Sequence, residues 1–150
     1  MTLRTARFLA LLAWSGFLCS ASGAAELQHA PAEWRGAWLL DRDAGASAVS
    51  ALDSAQARAL LGTTLSLDGG AALGGLPCPS PSFKVSSEAK EDFTVDFRIQ
   101  PADLGIKDDP VRVLNVECGN YAYSFIRLAA DRGLVIYQGH FFGVAKPATR

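Results

Sequence analysis

Few side chains in this sequence offer chemistry. His29 and His140 are the only histidines, and neither sits in a pattern such as His-x-His or His-Glu-x-x-His that would put two metal ligands on one face, so no metal site is expected. His140 follows Gly139 at the start of an apolar stretch. Its plain reading is an edge histidine, and its sharper one a ligand contact or a general acid or base. The chain has no Gly-x-Ser-x-Gly nucleophile elbow, no phosphate loop and no dinucleotide glycine motif. The acidic pairs Glu91-Asp92 and Asp108-Asp109 are adjacent, so in extended structure their carboxylates diverge instead of facing one substrate. No catalytic residue and no cofactor is assigned on these grounds.

The aromatic residues are more suggestive. Trp34 and Trp38 are expected on one face of a first strand, where they could floor an apolar pocket or simply pack as core. Tyr121, Tyr123 and Phe125 alternate along a later strand. Facing outward they would form a partner-binding stripe, and facing inward they would be core. Together with His140 these five are the candidate ligand or partner contacts.

Cys78 and Cys118 are expected to form a disulfide. They are the two cysteines that remain after the N-terminal segment is set aside, they belong to a chain read as exported, and no Cys-x-x-Cys pattern suggests redox catalysis. The export reading rests on residues 1–25. Arg4 and Arg7 precede the apolar run from Phe8 to Leu18, and small residues from Ser20 to Ala25 follow, the order of a secretory signal peptide. The run is too short to span a bilayer, which takes about 20 residues. Cleavage after Ala25 would start the mature chain at Glu26. Cys19 is preceded by Gly16-Phe17-Leu18, which lacks the small residue that a lipid-anchor signal places next to its cysteine. The expected location is therefore the periplasm or the extracellular medium, with no stable membrane anchor after cleavage.

Removing Arg4 and Arg7 but no acidic residue takes the formal charge from −1 to −3. A nucleic-acid partner is excluded on that balance, since no basic run or stripe occurs.

The elements that must position these residues are short. Residues 26–32 are expected to be a flexible leader and 33–150 a single β-barrel domain. A strand is expected over Trp34 to Asp41, then one helix over Ser54 to Leu61, with Asp53 as N-cap, Gln56 completing a capping box and Gly62 past its end. Further strands are expected at Thr63 to Leu67, near Phe83 and Val85, over Asp92 to Ile99, and in four runs from Val111 to Lys146. In the Asp92 strand, Phe93, Val95, Phe97 and Ile99 would share the buried face. Gly69-Gly70 and Gly74-Gly75 are read as flanking a mobile loop. The result is a mainly β chain of about seven or eight antiparallel strands with one short helix after the first, closed as a small barrel or, as the alternative, a sandwich.

Gly36-Ala37-Trp38 at the first strand resembles the Gly-x-Trp of the lipocalins, which implies an eight-stranded barrel whose Trp closes one end. The helix after strand one and the length of the mature chain depart from the usual lipocalin pattern. The chain also resembles small periplasmic barrels that inhibit secreted enzymes. Three functions follow as expectations: a non-enzymatic binding protein holding a small apolar ligand in the barrel or a protein partner at its loops; a periplasmic inhibitor of a secreted protease or lysozyme; and a hydrolase with an unrecognised site. A carrier would need an internal cavity bounded by Trp38. An inhibitor would need a filled interior and an exposed loop or leader.

Overall fold

A computed structural model describes residues 27–148. The segment 1–25, read as a signal peptide and holding Cys19, lies outside them, as does Glu26. The strands are β1 (Ala37–Ala46), β2 (Thr64–Ser66), β3 (Ala71–Leu73), β4 (Leu76–Cys78), β5 (Ser82–Glu88), β6 (Val111–Glu117), β7 (Ala122–Arg127), β8 (Arg132–Tyr137) and β9 (His140–Ala145). Helix α1 (Ser54–Leu60) follows β1, α2 (Lys90–Phe97) follows β5, and Pro101–Leu104 is a 3₁₀ turn. All nine strands form one antiparallel sheet in the order β4-β3-β2-β1-β9-β8-β7-β6-β5, curled into a half-barrel. The mainly β, small-barrel expectation holds, with nine strands in place of seven or eight.

The central strands are buried on both faces. Leu114, Phe125, Val135, Phe142 and Val144 join Trp38 and Leu40 in the concave core, while Val113, Ile126, Leu134, Ile136 and Phe141 join a second core outside. This is why Leu134 to Tyr137 reads as an unbroken apolar run.

The outer core needs a cover, and α2 supplies it. Here the expected strand over Asp92 to Ile99 is wrong. Phe93 and Phe97 are four residues apart, a spacing that fits one face of a strand and also one face of a helix. Their rings meet at 4.6 Å and both pack on Phe141. Val95, which a strand would bury with them, is 73% exposed on the far side of the helix. Glu91 and Asp92 favour the helix N-terminus, and Arg98 ends the helix in the left-handed conformation. The chain therefore has a second helix beyond the one expected. Val95→Lys should change stability by no more than about 0.5 kcal/mol in a urea melt; a loss of several times that would restore Val95 to a core face.

Two further corrections concern the first half of the chain. The segment between the glycine pairs is strand β3 and not a mobile loop: Ala71 and Leu73 are buried, and the strand pairs with β2 and β4. Three residues carry too little alternation to register as a strand. β1 begins at Ala37, later than expected, because Trp34 belongs to a turn closed by its N–H donating to the Pro31 carbonyl at 2.9 Å. The segment expected as a loose leader is docked where it is described, with Leu27 exchanging two backbone hydrogen bonds with Phe83 and Ala30 buried.

Helix α1 forms as its capping chemistry dictates. The Asp53 carboxylate accepts from the N–H groups of Ala55 and Gln56 at 2.8 Å each, and the Gln56 side chain accepts from the Asp53 N–H at 2.9 Å. Ala57 is buried, and Leu52, Leu60 and Leu61 pack against the concave core.

The Cys78–Cys118 disulfide is present. It joins β4, one edge of the sheet, to the end of β6, next to the other edge, so it clasps the curl shut. Tyr121 adds a second tie, its hydroxyl donating to the Leu76 carbonyl at 2.9 Å.

Candidate functional site

Of the six candidate side chains from the sequence, Trp34, Trp38, Tyr123 and Phe125 are buried in the concave core and Tyr121 is partly buried against it. Trp38 and Phe125 are fully buried at its centre, their rings edge-to-face with centroids 4.9 Å apart. Trp38 Nε1 donates to the Trp34 carbonyl at 2.9 Å, and the Lys146 ammonium lies over the Trp38 ring at 4.8 Å. These rings pack with Leu40, Leu65, Leu114 and Phe142 in the interior. Trp34 belongs to the same core, buried where the chain enters β1, under the guanidinium of Arg112.

Tyr121, Tyr123 and His140 gather at the opposite end. The register pairs Val116 with Tyr123 and Tyr137 with His140, and β1 completes the row with Ala46 opposite His140. Tyr121 stacks on Tyr123 with centroids 6.4 Å apart and meets Tyr137 edge-on at 6.2 Å. Burial pushes both Tyr121 and Tyr123 upward from the ordinary phenol pKa, so these hydroxyls are neutral donors. The Tyr123 hydroxyl is buried without a partner among the described residues.

His140 Nε2 lies 2.9 Å from Asp43 Oδ1, and the imidazole rests on Phe142 at 4.9 Å. The Gly45 N–H, followed by His140, holds the Asp43 carboxyl below its usual pKa against the opposing effect of burial. The ionised Asp43 carboxylate accepts from Nε2, and Nδ1 is buried with no hydrogen-bond partner among the described residues. An Asp–His pair can orient a base for a nucleophile only if a hydroxyl or thiol reaches the other ring nitrogen. Among the described residues His140 bonds to Asp43 alone. The pair therefore clips the far end of β1 to β9. No three His, Cys, Asp or Glu side chains among the described residues converge on a point that could hold a metal ion.

Beside this pair stands a feature that the sequence reading missed. Residues 47–52, between β1 and α1, are pinned along the β8–β9 turn: Ser47 N–H donates to the Gly139 carbonyl at 2.8 Å, and Ala51 N–H to the Gln138 carbonyl at 2.9 Å. The Ser47 hydroxyl donates to the Val49 carbonyl at 2.7 Å, and the Ser50 hydroxyl accepts from the Leu52 N–H at 3.3 Å. Gly139 makes the contact possible. It has φ +78°, and a Cβ there would strike the Val49 carbonyl. Val49 itself is 85% exposed, an apolar side chain on a slender loop fixed at both flanks. The available signal was one valine among small residues, with serines at 47 and 50 able to bond their own backbone.

Against protein-family models, curated proteins and solved structures, the chain matches none.

Proposed function

We propose that this is an exported, non-enzymatic binding protein of the inhibitor type, which engages a secreted enzyme through the loop end of its half-barrel. The observation that carries the reading is the pinned 47–52 loop with Val49 at its tip. Binding orders whatever was loose beforehand, at a cost of about 0.5–1.5 kcal/mol per immobilised side chain. A loop already held by the β8–β9 turn avoids much of that cost. Its flanking residues are Ser and Ala, narrow enough to enter a cleft, and Val49 is the anchor that an apolar subsite would take. A filled interior supports the same reading, because a ligand carried inside would need the volume that Trp38 and Phe125 occupy. The disulfide is compatible with an oxidising compartment.

Titrating the mature protein into a panel of secreted endopeptidases and lysozymes should suppress at least one of them. Val49→Lys should weaken that suppression about 30-fold, the effect of losing a hot-spot anchor worth about 2 kcal/mol. Its melting temperature should match the parent's, since the side chain touches solvent. A Val49→Lys protein that inhibits as well as the parent would exclude the loop as the contact.

A further inference from the structure

We propose that the cleft at the other end of the half-barrel, beside Trp34, binds a small carboxylate with an apolar body. This site is independent of the loop end. The cleft holds about 320 Å³, within the range of small-ligand sites. Trp34, Ile106, Val111, Ile126 and Leu128 supply its apolar lining, the first four of them buried.

The charges at its rim select the ligand. Arg112 is held twice, by Glu33 at 3.3 Å and by the face of Trp34 at 4.9 Å from its guanidinium carbon. Arg127 is held once, its Nε donating to the Ala129 carbonyl at 3.1 Å. Each guanidinium has five donors and spends one on these bonds, so each is oriented and keeps donors to offer. Glu33 is engaged by Arg112, which leaves Lys107 and Arg127 against Asp108 and makes the open part of the rim cationic. Trp34 is buried in the wall of the cleft, so its indole N–H reports on occupancy of the site. An anionic head at the two guanidiniums, with an apolar body over Leu128 and Ile106, satisfies the charge and the lining together.

The probe is 4-phenylbutyrate, with 4-phenylbutyramide as a control of the same shape and no charge. Titration into ¹⁵N-labelled mature protein should move the Trp34 indole N–H signal saturably, the signal being identified by its loss in Trp34→Phe. The amide should bind about tenfold more weakly or worse, as should the acid to Arg127→Gln. The amide comparison uses the unaltered protein, so it stands whether or not a variant folds. No saturable shift with the acid would overturn the proposal. Equal binding of acid and amide would also overturn it, by making the cleft a nonspecific apolar patch.

Discussion

Trp38→Ala is expected to cost about 3 to 5 kcal/mol of folding stability, a large part of the roughly 5 to 15 kcal/mol that a domain of this size commands. Trp38 is fully buried where β1 crosses the middle of the concave face, edge-on to Phe125. Truncation leaves a void too deep in the curl for neighbouring strands to collapse into, because the disulfide and the β1–β9 ladder hold the sheet's curvature. It also removes the donor to the Trp34 carbonyl and the ring under Lys146. Leu39 is the control, since it is the next residue of the same strand but points outward and is 37% exposed. Leu39→Ala should cost less than about 1 kcal/mol. Urea denaturation monitored by circular dichroism measures both, and equal losses would mean that the concave face is not the core.

Replacing Cys78 and Cys118 together by serine should cost about 4 kcal/mol, the chain-entropy value for a loop of this size. The sequence separation is 40 residues, but in the fold the two cysteines lie near opposite edges of the nine-stranded sheet. Without the bond, β4 stays on the sheet through its short pairing with β3 and the Tyr121–Leu76 hydrogen bond. Reductant should lower the melting temperature of the parent by a comparable amount and leave the double serine variant unmoved. A parent insensitive to reductant would show that the clasp adds nothing to the curl.

Several features were legible because their causes are local. The capping box at Asp53 and Gln56 needs only residues within one helical turn, and it forms as expected. The four short runs expected from Val111 to Lys146 became β6 to β9. The cysteine pairing followed from Cys78 and Cys118 being the two cysteines left once residues 1–25, read as an export signal, are set aside.

The rest depended on contacts between distant segments. Whether Phe93 to Phe97 became strand or helix was settled by an outer sheet face, built from β6 to β9, that required a cover. Periodicity within eight residues could not contain that information. Likewise, neither His140 nor Asp43 signals a pair in the sequence. They meet because antiparallel pairing with irregular register brings the far end of β1 against the start of β9. The pinned loop and the Trp34 cleft have the same origin. Residue types and short-range spacing determined which local structures were available to this chain. Which faces were buried, and which side chains came together at each end of the half-barrel, was decided by the curl of the sheet, because burial and register are properties of the assembled strands and not of any one of them.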